Sequence, residues 1–159
     1  MSAVPLRNGL AALVITLLLD QLSKWWILTV TMAPPRIIPV TDFFNLVLVF
    51  NRGVSFGVFG DGAAWVRWAL VVFAVLLSIG LFIWLLRARG GLLALGLGLI
   101  IGGAIGNVID RIRFGAVVDF LDFHLSGWHW PAFNVSDSAI MVGVMLLIFD
   151  SLNSPDAKP

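Results

Sequence analysis

The sequence predicts an all-α membrane protein of four transmembrane helices, with a small β-sheet in the first long loop. Three observations predict it. Of 159 residues, 60% are hydrophobic and 12% are charged, and the mean hydropathy is +1.01. A water-soluble domain needs a charged skin of roughly 25%, so this chain cannot cover a globule in water. Four stretches reach the ~20 apolar residues that cross a bilayer. Between the first two lies Asn45-Leu46-Val47-Leu48-Val49-Phe50, rich in β-formers and bounded by polar residues.

Composition excludes several function classes. The acids are nine Asp with no Glu, and Glu is the acid of water-facing helices. The hydrophobicity excludes disorder. With no Cys there is no disulfide, thiolate zinc site or Cys nucleophile. A net charge of +1 gives no electrostatic basis for a nucleic-acid partner. One integral membrane domain over 1–159 is expected.

The first span is expected at about 9–30. Arg7 before an apolar run also fits a cleaved signal peptide, but Asp20, Gln21, Ser23 and Lys24 follow that run without a small-x-small cleavage site. An uncleaved span is therefore expected. The connection over 31–63 holds Pro34, Pro35 and Pro39, which break helices, then the strand. Gly53, Gly57, Gly60 and Gly62 follow, interleaved with Phe56 and Phe59, as a turn-rich piece. The second span, about 64–86, carries one charge, Arg67, near its start. The third, about 91–109, carries Gly98, Gly102 and Gly106 at intervals of four, with Gly96 and Gly103 beside them. That stripe predicts close helix packing rather than chemistry. The 110–131 connection holds Trp128 and Trp130, which suit a membrane interface, and the fourth span is expected at about 132–152.

Basic residues are nearly balanced between the two sides and do not orient the chain. The basic turn at 85–90 favours a cytoplasmic hairpin, with both termini on that side. Alternating helix directions place Asp20, Lys24, Asn51, Arg52, Asn107, Asp110, Arg111, Asp119, Asp122, Asn134 and Asp137 at the opposite end. An ionisable group costs about 2.5 kcal/mol or more at the bilayer centre, so it persists when it is paired or when it functions. Asp20 and Lys24 are four apart, Asn107, Asp110 and Arg111 span four, and Asn134 and Asp137 are three apart, so each set shares one helix face. The economical arrangement brings all three stripes to one wet pocket.

Blander readings exist for each set. Asp20–Lys24 alone reads as a structural ion pair, Asp110–Arg111 as a helix-end anchor, and Asn134–Asp137 as a helix cap, although one cap does not require both residues. Asp122 and His124 read as solvated loop residues. Asp42, Asp61, Asp150 and Asp156 flank spans or termini, where solvation explains them.

The chemistry available is narrow. A Ser23–Lys24 hydrolase fails because helix neighbours point about 100° apart. Asp and His could hold a metal, yet no HExxH-like spacing appears, so no metal or cofactor is expected. Carboxylates are abundant. Two close carboxyls cannot both ionise cheaply and share a proton. One then activates water while the other donates to a carbonyl, which is aspartic-protease logic.

Five segments now stand out in order: Asp20-Gln21-Leu22-Ser23-Lys24, Asn51-Arg52-Gly53-Val54-Ser55-Phe56-Gly57, the run from Gly102 to Arg111 ending Asn107-Val108-Ile109-Asp110-Arg111, Val117-Val118-Asp119-Phe120, and Pro131-Ala132-Phe133-Asn134-Val135-Ser136-Asp137-Ser138. Together they resemble the lipoprotein signal peptidases of bacteria, signal peptidase II. The resemblance implies a four-helix aspartyl endopeptidase of the bacterial cytoplasmic (inner) membrane. Both termini would be cytoplasmic, with a periplasmic β-cradle in the first loop and an active site near the periplasmic face. It implies a diacylglyceryl-modified prolipoprotein substrate, cut just before the lipidated Cys, and membrane lipids as partners. By match to the motifs, Asp119 and Asp137 fall on the catalytic pair. Asp20, Lys24, Asn51, Gly53, Asn107, Arg111 and Asn134 fall on supporting positions, as does Asp110 in a structural role. The family often has Thr where Arg52 stands and Ala where Ser136 stands. A monomer is expected.

Two other classes compete. A proton-coupled membrane carrier would use Asp20, Lys24 and Asp137 as a relay, but the polar residues crowd one side rather than lining a path. A non-catalytic assembly factor would bind precursor without cutting it and tolerate Asp119→Asn.

Overall fold

A computed structural model describes residues 3–53 and 64–153. The expected turn-rich piece, with Phe56, Gly57, Phe59, Gly60 and Gly62, lies outside the described residues, as do Ser55, Asp61, Asp156 and Lys158.

Four helices are long and apolar enough to cross a membrane. α1 is Ala3–Trp26 and passes into one π-helical turn over Ile27–Thr31. α2 is Ala64–Arg87, α3 Gly91–Phe114 and α4 Val135–Asn153. α1 begins six residues before the expected bound at 9, because apolar residues carry the pattern back across Arg7. α3 continues to Phe114 rather than stopping near Ile109. Asp110 and Arg111 are thus still helical, with Arg111 in the last turn, because the stop is set by Gly115. That residue closes α3 in the left-handed region (φ 76°) and returns its N–H to Arg111 O at 3.1 Å.

α3 is the axis of the bundle. α1 and α4 pack next to each other on its glycine-rich side, and α2 packs on α3 while barely touching α1. The packing reading of the stripe holds at Gly102, where an added Cβ would stand 2.6 Å from Leu13 O, and at Gly98, which lies against Gly9 O. Gly96 and Gly103 face α4, at Gly143 O and Ser136 O. At the terminal end, Leu85, Ala88, Ala94, Leu97 and Ile101 form an apolar cluster.

The connections form a four-stranded antiparallel sheet in the order β1-β2-β3-β4. β1 is Ile38–Thr41, β2 Phe44–Asn51, β3 Val117–Leu125 and β4 Trp128–His129. β2 matches the expected strand, whereas β3 and β4 replace an expected loop. β2 carries one extra residue between the pairs Leu46↔Leu121 and Val49↔Asp119. Side chains alternate along a strand, so Asn45 and Asn51, six apart, would share a face; the bulge puts them on opposite faces. Asp119 and Asp122, three apart on β3, also face opposite ways. Asn51 thereby meets Asp119 and Asn45 meets Asp122.

Asp122 is a correction to the sequence reading. It is buried, not solvated. It accepts from Asn45 Nδ2 at 2.9 Å and pairs with His129 Nδ1 at 2.8 Å. His124, likewise expected in solvent, stacks on His129 with ring centroids 4.9 Å apart. Burial alone would push the Asp122 carboxyl up, but the hydrogen bonds from Asn45 and His129 and the two histidines hold it below the ordinary value.

Candidate active site

The start of α4 is built by two residues that hold each other. Asn134 is the N-cap and Asp137 the third helical residue. Asp137 N–H donates to Asn134 Oδ1 at 3.0 Å, and Asn134 N–H donates to Asp137 Oδ2 at 3.3 Å. This is a capping box with Asn and Asp in the two roles, so the cap does use both residues. It is also part of a larger arrangement. The Asn134 amide nitrogen, fully buried, donates to Asp119 Oδ1 at 2.7 Å and to Asn107 Oδ1 at 3.3 Å.

Each carboxyl oxygen of Asp119 and Asp137 has one amide donor. Asp119 Oδ1 takes Asn134 Nδ2, and Asp119 Oδ2 takes Asn51 Nδ2 at 2.9 Å. Asp137 Oδ1 takes Asn107 Nδ2 at 2.8 Å, and Asp137 Oδ2 takes Asn134 N. Asp119 is 1% exposed and Asp137 half-buried. Burial pushes the Asp119 carboxyl up to about 6. Hydrogen bonds from Asn51 and Asn134 and the charge of Lys24 pull it down, and the charge of Asp137 pushes it further up.

Behind the pair is a buried polar network. Lys24 Nζ lies 2.9 Å from Asp20 Oδ2, 2.8 Å from Asp110 Oδ2 and 3.2 Å from Asn107 Oδ1. Asp20 Oδ1 accepts Ser136 N–H at 3.0 Å, and Asp110 Oδ2 accepts Val118 N–H at 3.1 Å. Each of those main-chain donors immediately precedes one of the two aspartates. Gly106 leaves the room for this: a Cβ there would stand 2.5 Å from Asp20 Oδ2 and also meet Ser136 Oγ. At this one glycine the stripe serves the polar cluster as well as the packing. Arg111 donates through Nη1 to Asn107 O at 3.3 Å. Gly53 turns at φ 77° and donates its N–H to Asn51 Oδ1 at 2.8 Å, which aims the Asn51 amide nitrogen at Asp119.

The structure thus brings Asp20, Lys24, Asn51, Gly53, Asn107, Asp110, Arg111, Asn134, Asp119 and Asp137 into one connected cluster. Arg52 is exposed and makes no hydrogen bond among the described residues. Sequence reasoning missed Gln21, whose Nε2 reaches Asp20 Oδ2 at 3.1 Å and Asp110 Oδ1 at 3.2 Å. Its position beside Asp20, inside an apolar span, was the available signal. Among the described residues, no group of three or more His, Cys, Asp or Glu side chains is placed to hold a metal ion.

Comparison with known proteins now decides the family. The model described as signal peptidase (SPase) II matches residues 12–153. The chain belongs to the signal peptidase II family. A relative named lipoprotein signal peptidase, from Polynucleobacter necessarius subsp. necessarius (strain STIR1), is 45% identical over 160 residues, covering 99% of this chain and 97% of that protein. One of the same name from Burkholderia vietnamiensis (strain G4 / LMG 22486) is 52% identical over 140 residues, covering 87% and 83%. A solved structure, described as a bacterial membrane enzyme structure by the in meso method at 2.3 Å resolution, superposes with a TM-score of 0.79 at 27% identity, covering 95% of this chain and 91% of that one. As a member of the signal peptidase II family with four apolar spanning helices, the chain is a multi-pass membrane peptidase.

Proposed function

We propose that this protein is an aspartyl endopeptidase that removes the signal peptide from diacylglyceryl-modified prolipoproteins, cutting just before the lipidated Cys at the periplasmic face of the bacterial inner membrane. Asp119 and Asp137 are its catalytic pair. The observation that carries the reading is Asn134, which hydrogen-bonds both carboxyls and so ties a strand residue and a helix residue to one point.

In this mechanism one proton is held between the two carboxyls. Asp119 is the more deeply buried member, and burial disfavours its charged form, so the proton resides there at mildly acidic pH. The ionised Asp137 takes a proton from water, and the resulting hydroxide bonds to the scissile carbonyl carbon. Asp119 gives its proton to the carbonyl oxygen. The tetrahedral adduct collapses as the C–N bond breaks, the proton held by Asp137 passes to the departing nitrogen, and the hydroxyl returns a proton to Asp119. The products are a signal peptide ending in a carboxyl group and a lipidated Cys with a free amine. Asn51, Asn107 and Asn134 hold the carboxyls through these steps.

The bundle suits a substrate that arrives from the bilayer. An apolar groove of about 410 Å³ lies between α1, α2 and α3, lined by residues that include Leu13, Phe82, Ile101 and Val108. Val108 directly follows Asn107 of the site. The carrier reading has less support: among the described residues, no buried ionisable side chain lies in the terminal half of the bundle, where Leu85, Leu97 and Ile101 close the core.

The test is a cleavage assay on a purified lipidated precursor. Asp119→Asn and Asp137→Asn should each abolish product while the proteins keep their thermal unfolding transition. Normal processing by either variant rejects the pair. Binding without scission by the unmodified protein supports the assembly-factor class instead.

A further inference from the structure

The three asparagines around the two carboxyls all present their amide nitrogen, and in each case another donor occupies the amide oxygen. Asn51 Oδ1 takes Gly53 N–H at 2.8 Å, and Asn134 Oδ1 takes Asp137 N–H at 3.0 Å. Both donors belong to the main chain. Asn107 differs, because an ionisable side chain sets it. Its oxygen takes Lys24 Nζ at 3.2 Å, with the Asn134 amide at 3.3 Å as a second donor. Lys24 is 2% exposed, and no step of the proposed hydrolysis uses it.

An ammonium has three donors and no acceptor, so whatever it touches must present oxygen. All three donors are used, on Asp20, Asp110 and Asn107. The two carboxylates fix the ammonium in place, and the ammonium fixes the amide. Were Asn107 to flip, its oxygen would face Asp137 Oδ1 instead of its nitrogen. Two acceptors cannot share that contact, so the carboxyl would have to turn away or keep a proton on that oxygen, away from the reacting atoms.

We infer that Lys24 is a positioning residue for peptide hydrolysis: held by Asp20 and Asp110, it locks the Asn107 amide in the one orientation that donates to Asp137. This rests on the reading of Asp119 and Asp137 as the catalytic pair. The charged groups around Asp137 are Asp119 on β3, Asp110 and Arg111 on α3, and Asp20 and Lys24 on α1. Of these, Lys24 is the one hydrogen-bonded to the Asn107 oxygen.

The experiment compares Lys24→Met, which has no donor, with Lys24→Gln, which is uncharged but keeps an N–H. Both are also made in the Asp20→Asn background, where the buried network retains its original formal charge and folding is protected. Thermal unfolding, kcat and KM on a lipidated precursor, and the side-chain amide spectrum of ¹⁵N-Asn-labelled protein are measured. In the folded Met variants kcat should fall about 10²-fold with KM changed less than about twofold. Lys24→Gln should recover at least a tenth of wild-type kcat. The Asn107 amide pair should broaden in the Met variants and stay sharp with Gln.

Equal losses in the Met and Gln variants, or wild-type kcat in a folded Met variant, overturn the inference. If no Met variant folds, the wild-type spectrum decides. One Asn107 Nδ2 proton shifted downfield, and lost in Asp137→Ala, supports the lock; a solvent-like pair overturns it. Activity in Asp137→Asn would sink the catalytic pair itself, whereas an inactive Asp137→Asn beside an unaffected Lys24→Met sinks only the role of Lys24.

Discussion

Asn134 and Asp137 hold each other through two reciprocal hydrogen bonds, at 3.0 and 3.3 Å, that cap α4 and orient a carboxyl at the same time. Helix stability and site geometry therefore meet in one residue pair, and substitution can separate them. Asn134→Ser keeps an oxygen for the cap but has no N–H to reach Asp119. It should unfold within a few degrees of wild type. Asn134→Ala should lose about 1 kcal/mol of stability. Both should lower kcat by about 10²-fold or more if Asp119 and Asp137 are the catalytic pair proposed above, since a donor aimed at those carboxyls is gone. A Ser variant with wild-type kcat would show that the bond to Asp119 is only structural. Thermal melts and single-turnover cleavage provide the comparison.

The burial of Asp119 predicts a pH dependence with a definite sign. Its carboxyl is raised from 3.8 to about 6, so the folded state binds this proton more tightly than the unfolded chain does. That contribution to stability is complete below the unfolded value and is lost as pH rises through about 6. The melting temperature of the wild type should therefore fall relative to Asp119→Asn between about pH 4 and pH 7, by the equivalent of about 3 kcal/mol at most.

Under the proposed mechanism the same proton governs turnover. kcat/KM reports the free enzyme and should fall as pH passes about 6, where Asp119 loses the proton that the proposed mechanism needs. kcat should hold to higher pH, because bound substrate displaces water and disfavours the charged form further. A kcat/KM that stays level from about pH 5 to pH 8 contradicts the assignment.

Glycine contacts give a test of packing. Gly102→Ala places a Cβ 2.6 Å from Leu13 O and 2.9 Å from Thr16 Cβ, and should destabilise by about 1–3 kcal/mol. Gly80→Ala on α2, with no atom of the described residues within 4 Å of the added carbon, should be neutral or gain up to about 1 kcal/mol from helix propensity. Unfolding in detergent ranks the two.

Ser136 has a fully buried hydroxyl with no hydrogen-bond partner among the described residues, while its N–H already serves Asp20. Ser136→Ala removes an unsatisfied polar group without disturbing that bond. It should gain about 1 kcal/mol and leave kcat unchanged, read by melting and by cleavage rate.

The spans and the polar cluster were legible because each rests on local pattern. Long apolar runs mark the helices, and i,i+3 and i,i+4 spacing puts Asp20 with Lys24 and Asn134 with Asp137. What connects these sets was not legible. Val118 N–H reaching Asp110, and Ser136 N–H reaching Asp20, depend on main-chain groups that any residue would carry. Asp122 was read as solvated because its partners come from two other strands: Asn45 from β2, which pairs with β3 through a bulge that sequence spacing does not reveal, and His129 from β4, which was read as loop. The end of α3 was set too early because Asp110 and Arg111 look like a polar stop, whereas Gly115 supplies the actual one.

The four carboxyl oxygens of Asp119 and Asp137 each already receive one amide hydrogen from the protein. Little room is left there for another anion, and a compound bearing a phosphonate or carboxylate would meet like charge. A neutral secondary alcohol, presenting one O–H where the attacked carbonyl would sit, matches what remains unfilled. If the proposed pair is the catalytic site, inhibitors should begin from uncharged hydroxyl isosteres carrying a hydrocarbon tail.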